Sequence, residues 1–398
     1  VTDGTFDLAT NTNDITVGGD WTIDLVSGAV FVHSNADVTL DGNEQTIDGG
    51  TFYNLLTLNG GTKQLISNID VDNNVVIGAL TTLDAQDKSI YVGNDWTNNG
   101  LFAQTGLGEI IFDGAQGQNI DNGSAATDFN YLTFTNAGAK TFYNSSNVNA
   151  DFTINSGSGT VDVGTYTITG VGATNSFTLN STLNVHGANN FPSGFETISL
   201  ASNSWVDYLG TIDQTIYSTT YGNLRLRSSG ATTTKTAAGD LVLLGQLEMD
   251  NDALTTLDMN ANSANMTIAG NITVVGDDII WGTGTTTLTH NGADWNIDAD
   301  IATFNNLILS GSGNKWMQGD LNITGDVTVQ NGTYLRMYQN NNRALPHTMT
   351  GLVTKSFTLE NGARCYSAIA EATGPAIPNS FGTYNLADNS NYYLYSPD

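Results

Sequence analysis

Carboxylates are the side chains that we consider first for chemistry in this sequence, because they far outnumber its basic groups. The 398 residues include 39 Asp and Glu, but only 11 Lys and Arg and four His. A glycosidase needs two carboxylates at a controlled separation, and a polysaccharide lyase needs a basic residue in an acidic cleft. The candidate basic residues are scattered, at His33, His186, His290, His347, Arg225, Arg227, Arg336, Arg343 and Arg364. None belongs to a catalytic motif, so we predict that the chain is not an enzyme.

Two short acidic stretches are the candidates for a metal site. They are Asp70-Val71-Asp72-Asn73-Asn74 and Asp250-Asn251-Asp252. Calcium is a hard cation that takes several oxygen ligands, which carboxylates and carboxamides can supply. Neither stretch completes the spacing of a calcium-binding loop. We therefore expect a solvated acidic surface and no cofactor, with calcium binding as the alternative.

The charge and hydropathy of the chain restrict its partners. The formal net charge of −28 disfavours nucleic acid, since phosphates need a basic surface. It equally disfavours an anionic membrane surface. No apolar run approaches the roughly 18–20 residues of a membrane span. We therefore expect no nucleic acid partner and no membrane span. Cys365 is the single cysteine, so an intrachain disulfide is impossible.

Internal repeats position these side chains along the chain. A Thr-apolar-Asp motif begins at Thr5, Thr82, Thr160 and Thr256, and a Val-Gly-x-Asp-Trp motif ends at Trp21 and Trp96. An Asx-Gly turn followed by Ile also recurs, as does an aromatic-Asn-Leu motif with a lysine after it. Those lysines are Lys63, Lys140, Lys235 and Lys315. The landmarks define five long repeats, at approximately 4–80, 81–158, 159–254, 255–331 and 332–398, the last of them incomplete.

Each long repeat contains shorter units, which are marked by alternating apolar pairs. These pairs are Leu56/Leu58, Val75/Ile77, Ile90/Val92, Ile110/Phe112 and Leu132/Phe134. An alternating pair places two side chains on one face of a strand, and a unit of about 20 residues must stack on a neighbour to bury that face. We predict an all-β chain that forms one continuous parallel β-helix (β-solenoid) over residues 1–398. It has about four coils per long repeat of about 77 residues and is right-handed by the crossover rule. The alternative is a tandem array of β-sandwich domains.

The recurrent residues have predicted roles in such a solenoid. We expect the four lysines to be solvated or weakly paired turn residues, since exposed ion pairs stabilise little. Trp21 and Trp96 occupy equivalent positions, and we expect them to pack in the core rather than form an exposed row that binds polysaccharide. The Asn-rich turns are expected to form ladders from coil to coil.

Both ends of the sequence interrupt a repeat. The chain enters at Gly4-Thr5-Phe6-Asp7, and Asp398 falls where the third repeat continues. An open solenoid end leaves unpaired strand edges and an uncovered core. One expectation is that the ends join copies head to tail, which makes fibres because such a contact does not close. The other is that the sequence is part of a longer repetitive protein.

The repeat resembles those of long secreted and cell-surface β-helix proteins of bacteria, of the adhesin and matrix type. The residues that carry the resemblance are, in order, GT-x-D, VGxDWTNNG-x-F, G-x-G-x-I-x-F-D-G, Q-x-I and FxNLTxxxxGxK. The resemblance implies an extracellular or cell-surface location and a role in adhesion, matrix or filament formation. We predict an extracellular structural subunit that self-associates head to tail, with cell-surface or matrix polysaccharide as a further partner. The alternatives are the stalk of a longer surface adhesin and a polysaccharide lyase or hydrolase of the β-helix type.

Overall fold

The computed structural model describes the chain apart from residues 9–12, 124–126, 250–254, 276–277, 298–302, 340–341, 371–373, 376–377 and 396–398. The described residues form short β-strands and one 3₁₀ turn, Leu25–Ser27. They are arranged in two compact units, Val1–Ala201 and Ser202–Asp398.

In the first unit the strands follow one another around three faces, which we name A, B and C. A strand typically pairs in parallel with the strand three places later, so three strands complete one coil. Face A contains β1 Thr5–Asp7, β4 Val30–Val32, β7 Thr51–Phe52, β10 Ile69–Val71, β13 Ile90–Val92, β16 Glu109–Phe112, β19 Tyr131–Phe134, β22 Asp151–Ile154, β25 Ser176–Leu179 and β27 Thr197–Leu200. Face B contains β2 Ile15–Val17, β5 Asp37–Leu40, β8 Asn54–Thr57, β11 Val75–Ile77, β14 Trp96–Asn98, β17 Gln118–Asp121, β20 Lys140–Phe142, β23 Val161–Asp162 and β26 Thr182–Val185. Face C contains β3 Trp21–Thr22, β6 Glu44–Asp48, β9 Gly61–Leu65, β12 Thr81–Asp84, β15 Leu101–Ala103, β18 Thr127–Phe129, β21 Ser146–Val148 and β24 Ile168–Gly170.

The second unit repeats this plan on faces that we name D, E and F. Face D contains β28 Trp205–Tyr208, β31 Asn223–Leu226, β34 Leu247–Met249, β37 Ile272–Val274, β40 Asn291–Ile297, β43 Ser312–Met317, β46 Thr333–Gln339, β50 Arg364–Ala370 and β53 Asn391–Tyr395. Face E contains β29 Gln214–Ile216, β32 Thr233–Ala237, β35 Thr255–Asp258, β38 Asp278–Ile280, β41 Thr303–Phe304, β44 Leu321–Ile323 and β48 Met349–Thr350. Face F contains β30 Thr220–Tyr221, β33 Leu241–Leu243, β36 Met266–Ile268, β39 Thr285–Leu288, β42 Asn306–Leu309, β45 Val327–Val329, β49 Ser356–Leu359 and β52 Thr383–Leu386. Two further strands, β47 Asn342–Pro346 and β51 Gly374–Pro375, pair antiparallel with β46 and β50.

The parallel pairing confirms the predicted β-solenoid. On face A, Ile69, Ile90, Ile110, Leu132 and Phe152 lie one above the other at intervals of 20 to 22 residues. The strands of a β-sandwich run antiparallel, so the alternative of a sandwich array is wrong. A parallel sheet stacked in this way buries the same strand position in every coil.

Burial alternates along each strand as the apolar pairs predicted, with one exception. Val75 and Ile77 are fully buried, and the other pairs beginning at Ile90, Ile110 and Leu132 also point inward. The Leu56/Leu58 pair was predicted to do the same, and this is wrong. The register places Leu55 and Thr57 beside Val75 and Ile77, so Leu55 and Thr57 are buried and Leu56 faces outward. The Thr57 hydroxyl donates to the carbonyl of Val76 at 3.4 Å, which accounts for a polar residue at a core position.

A long repeat advances by eleven strands rather than the twelve that four full coils would need. Trp21 and Trp96 lie on β3 and β14, and Lys63 and Lys140 lie on β9 and β20. Within the second unit, Lys235 and Lys315 lie on β32 and β43. Because three strands make one coil, equivalent residues of successive repeats fall on neighbouring faces and do not stack on one another.

Asn and Asp side chains connect one coil to the next at the turns, as the composition predicted. Asn54 Oδ1 accepts from the backbone N–H of Asn74, and Asn74 Oδ1 accepts from that of Asp95. The side-chain amides join the same ladder, since Asn94 Nδ2 donates to Asn74 Oδ1 at 3.0 Å. In the second unit, Asp240 and Asn265 cap N–H groups one coil later in the same way. These bonds satisfy backbone groups that lie just outside the strands.

Candidate functional site

The four recurrent lysines lie in the interior of the solenoid, which corrects the prediction that they are solvated or weakly paired. Each side chain is 0% exposed. Among the described residues none of them has a carboxylate at ion-pair distance, and their ammonium groups donate to carbonyl oxygens instead. Lys140 Nζ lies 2.7 Å from the oxygen of Gly138, 2.8 Å from that of Thr135 and 3.3 Å from that of Gly114. A buried charge is tolerable only when it is hydrogen-bonded in this way.

Three of the lysines belong to a repeated hydrogen-bonding unit that we call the glycine clamp. It consists of a turn glycine, a glutamine on the following strand and a lysine one coil later. In the second clamp, Gly114 N donates to Gln118 Oε1 at 3.1 Å and the carbonyl of Gly114 accepts from Lys140. Gln118 and Lys140 are direct neighbours in the parallel register. The other clamps are Gly42–Gln45–Lys63 and Gly210–Gln214–Lys235.

The fourth lysine departs from this unit. Lys315 donates to the carbonyls of His290 at 2.9 Å and Ser312 at 3.1 Å. Its neighbour in the register is Trp295 rather than glutamine. Burial lowers the pKa of Lys140, Lys235 and Lys315 to about 8, and it also lowers the pKa of Lys63. At neutral pH the three lysines are therefore charged. Their ammonium groups donate to backbone oxygens and, for Lys235, also to Gln214 Oε1.

Trp21 and Trp96 are buried, which confirms the predicted core packing. Trp96 is 0% exposed, and its indole Nε1 donates to Asn122 Oδ1 at 3.1 Å. Trp21 is 6% exposed and donates to the carbonyl of Gly49 at 3.1 Å. A buried indole N–H needs such a partner. These rings are not available to an external ligand.

The first acidic stretch is occupied by contacts within the solenoid. Asn73 and Asn74 take part in the turn ladder, and Asp72 Oδ2 lies 3.1 Å from Nε2 of His33. Burial, with Asp72 and Asp113 nearby, raises the pKa of Asp70. Among the residues that the structure describes, no group of three or more His, Cys, Asp or Glu side chains converges as metal ligands would. The second stretch, Asp250 to Asp252, lies outside the described residues.

The histidines considered for catalysis are distributed over separate places. His186 Nε2 lies 3.2 Å from Asp162 Oδ1. Burial is the largest single influence on the pKa of Asp162 and raises it, but the hydrogen bonds from His186, the Gly164 N–H and Asn184, together with the charge of His186, lower this pKa overall. His347 Nδ1 lies 3.9 Å from Asp320 Oδ1, whereas Nδ1 of His290 lies 2.8 Å from the carbonyl of Ala269. These contacts connect neighbouring coils, and within the described ranges they bring no second acid or base to a common point.

Arg225 and Arg227 form an ion-pair network on the outside of face D. Both guanidinium groups donate to Asp207 Oδ2, at 3.3 and 2.6 Å, and Arg225 also donates to Glu248 at 2.7 Å. Arg225 stacks on Trp205, with its guanidinium carbon 4.3 Å from the ring centre. Burial of Asp207 raises the pKa of this carboxyl despite both arginines. The cations of this network are therefore already neutralised by the protein.

Arg336 and Arg364 are placed differently, among aromatic rings on the outside of face D. The register aligns two outward-facing rows, in which arginine lies beside aromatic residues. The first row is Asn314, Tyr334, Arg364 and Asn391, and the second row is Trp316, Arg336, Tyr366 and Tyr393. We call these eight residues the arginine–aromatic rows. The side chain of Arg343, the remaining arginine candidate, lies outside the described part of the structure.

The sequence analysis considered these arginines only as separate candidates. A signal for the rows was present in the alternation Tyr334-x-Arg336-x-Tyr338 and Arg364-x-Tyr366. Alternate residues of a strand share one face, so the pattern predicts two outward clusters. What the sequence did not provide was the 30-residue offset between β46 and β50 that brings the clusters together.

Comparisons with known proteins gave no significant match to a family model, to a curated protein or to a solved structure. Within the described residues, no helix has the length and apolar character that crossing a membrane requires.

Proposed function

We propose that this chain is an extracellular structural protein, a subunit of a filament or matrix that associates head to tail through its terminal coils. The observation that carries the proposal is the exposure of core positions on β52. Leu386 is 59% exposed and Tyr384 is 48% exposed, although their neighbours one coil earlier, Leu359 and Phe357, are 0% and 1% exposed. Another coil stacked on β52 would bury both side chains.

The first coil has the same character. Phe6 on β1 is 39% exposed, whereas Phe31, its neighbour in the register, is 7% exposed. A strand added to either edge would gain main-chain hydrogen bonds as well as apolar burial of roughly 25 cal/mol per Å². Contacts between two different edges generate filaments when the rotation between successive copies does not close a ring.

The buried hydrogen bonds between successive coils support a structural role. Buried lysines, glutamines and the Asx ladder bond successive coils to one another at several places. Among the described residues, no group of three or more His, Cys, Asp or Glu side chains converges as metal ligands would. The location outside the cell is part of the proposal and is supported by the repeat pattern. Fractionation of the producing cells with an antiserum against the chain tests it, and recovery in the cytoplasmic fraction would contradict it.

Assembly is tested by negative-stain microscopy and light scattering of the purified chain over a concentration series. The double variant Tyr384→Lys/Leu386→Lys places charges on the exposed core positions. The control is Leu107→Lys, because Leu107 is 81% exposed but lies on a turn. We expect fibres from the parent and control chains and single particles from the double variant. Single particles of the parent chain at every concentration would favour the stalk of an adhesin. Release of unsaturated or reducing sugars from an acidic polysaccharide would favour the enzyme.

A further inference from the structure

The arginine–aromatic rows bring cationic side chains and aromatic rings together on a strongly acidic chain. Arg336 lies over the buried rings of Trp316 and Tyr366, and Arg364 lies over the half-buried ring of Tyr334. Within the described residues, neither guanidinium group has a carboxylate at ion-pair distance. Their surroundings therefore differ from those of Arg225 and Arg227, which are neutralised by Asp207 and Glu248. On a chain of net charge −28, these two cations have no carboxylate close by among the described residues, so they are available to an external anion.

The rings hold the guanidinium groups in defined orientations. The guanidinium carbon of Arg336 lies 3.7 Å from the ring centre of Tyr366 and 5.2 Å from that of Trp316. Arg364 lies 5.2 Å from the ring centre of Tyr334. Stacking on a ring occupies the face of a guanidinium and leaves its N–H edge for hydrogen bonds.

Part of that edge has no partner on the described part of the protein. Arg336 uses Nε for Asn314 Oδ1 at 2.8 Å and Nη1 for the Tyr338 hydroxyl at 3.0 Å. Arg364 uses Nη1 for the Tyr366 hydroxyl at 3.3 Å. The Nη2 groups of both arginines, and Nε of Arg364, make no hydrogen bond to the described residues. Nε and Nη2 of Arg364 form a fork that binds a carboxylate with two parallel bonds, whereas Arg336 offers its Nη2 group for a single bond.

The arginines provide donors for an acidic group, and the aromatic rings provide a surface on which a ring of the ligand can pack. Tyr366 and Tyr393 are stacked, with centres 4.8 Å apart and planes 9° apart, and Tyr334 meets Tyr366 edge to face at 6.2 Å. Tyr334 and Tyr393 remain half-buried and present ring surface to solvent. Asn391 at the end of the first row is exposed and offers a carboxamide. The strand spacing of about 4.8 Å repeats rings and cations along the rows, which suits a ligand that itself repeats a ring and an acid.

We propose that the arginine–aromatic rows bind an anionic polysaccharide built of sugar acids. Its carboxylates pair with the free edges of Arg336 and Arg364, and its sugar rings pack on Tyr334 and Tyr393. Nucleic acid is disfavoured because two arginines cannot offset the repulsion between phosphates and the rest of the chain. An acidic peptide would satisfy the arginines but would leave the aromatic surface without a matching ring. The site adds a ligand to the proposed structural role and does not depend on assembly of the chain.

The test is a titration of the full chain, below its assembly concentration, with polygalacturonate, with neutral dextran and with poly-glutamate. We expect binding to polygalacturonate that weakens with salt, and at least tenfold weaker binding to the other two polymers. Arg364→Gln and Tyr393→Leu should each reduce the affinity about tenfold or more, because each variant removes either a charge-assisted hydrogen bond or a stacked ring. Lys88→Gln is the matched control, because Lys88 already pairs with Asp87 at 2.6 Å.

Each contrary outcome overturns the inference in a different way. If poly-glutamate binds as tightly as polygalacturonate, the arginines attract any polyanion and the sugar ring is not recognised. If dextran binds as tightly as polygalacturonate, charge plays no part in binding. Polygalacturonate binding that survives Arg364→Gln, Tyr393→Leu and Arg336→Gln would place the ligand elsewhere. The melting curve of each variant, followed by circular dichroism, establishes that it is folded. Failure of this test leaves head-to-tail assembly intact, because assembly is measured by microscopy of variants on β52.

Discussion

Lys140 lies directly above Gln118 in the parallel register, and the two side chains hold opposite ends of one residue, Gly114. The carboxamide oxygen of Gln118 accepts from the Gly114 N–H at 3.1 Å, and the Lys140 ammonium donates to the Gly114 carbonyl at 3.3 Å. Gln118 Nε2 also donates to the carbonyls of Val92 and Asn94 in the preceding coil. One clamp therefore connects three successive coils through buried side chains.

Replacing Lys140 with methionine should destabilise the chain although it removes a buried charge. Methionine fills a similar volume, but it leaves the carbonyls of Gly114, Thr135 and Gly138 without their donor, at about 1–3 kcal/mol for each unsatisfied group. We expect a loss of about 2–4 kcal/mol in the free energy of unfolding, measured by urea denaturation. Lys88→Met is the control, since the Lys88–Asp87 pair is screened by solvent and contributes little. Equal midpoints for the two variants would show that the clamp stabilises nothing.

The buried lysines predict an unusual dependence of stability on alkaline pH. The pKa of Lys140, Lys235 and Lys315 is about 8 in the folded chain, against about 10.4 for an unfolded lysine. Between these values the unfolded chain binds more protons, so the free energy of unfolding rises with pH. From about pH 7 to about pH 9.5 each lysine contributes up to about 2 kcal/mol of this rise. Lys140→Met lacks one of these groups, so its deficit relative to the parent chain should widen over that range. A constant deficit would refute the lowered pKa.

The sequence was sufficient for the repeats, the parallel solenoid and the Asx ladder, because strand alternation and turn residues are local signals. The sequence did not predict the burial of the four recurrent lysines, since a single long side chain after a turn is ordinarily solvated. Only the register shows that Lys63 stands over Gln45 and reaches the carbonyl of Gly42. The same limit applies to the arginine–aromatic rows, in which Arg336 and Tyr366 meet across 30 residues of chain. Contacts between coils depend on coil length, which varies from turn to turn and is not visible in local spacing.

Amine-reactive labelling should separate two classes of lysine in the folded chain. Lys63, Lys140, Lys235 and Lys315 are 0% exposed and use their ammonium groups as hydrogen-bond donors. Lys88 is 29% exposed at its side chain, and Lys355 is half-buried. We expect a brief treatment near neutral pH to modify Lys88, Lys355 and the amino terminus, with little modification of the other four until urea unfolds the chain. Peptide mass spectrometry gives the extent at each site. Rapid modification of Lys140 in the native chain would contradict its burial.

Replacing Gly114 with alanine, which adds only a β-carbon, should strongly destabilise the chain. A β-carbon on Gly114 would lie 2.0 Å from the carbonyl oxygen of Gly93 in the preceding coil, and 2.9 Å from the Gln118 side chain. Backbone oxygen cannot move aside as a flexible side chain can, so the two coils must separate or the clamp must break. We expect Gly114→Ala to cost more than about 3 kcal/mol in the free energy of unfolding, as strain and lost hydrogen bonds combine.

Gly117 is the matched control for this substitution, because it lies in the same turn. The nearest atom to its β-carbon would be the Ala139 carbonyl oxygen, at 4.0 Å. We expect Gly117→Ala to change stability by less than about 1 kcal/mol, or to raise it slightly by restricting the unfolded chain. The urea midpoints of the two variants measure this difference.

Hydrogen exchange at the Gln118 amide localises the effect of the Gly114 substitution. The Gln118 N–H donates to the carbonyl of Ala139 at 2.8 Å, so its exchange reports on the bond between two successive coils beside the clamp. It should exchange faster than in the parent chain when Gly114 is replaced by alanine, and at the parent rate when Gly117 is replaced. Equal protection in the two variants would mean that the close approach of Gly114 and Gly93 is not what fixes the coil spacing.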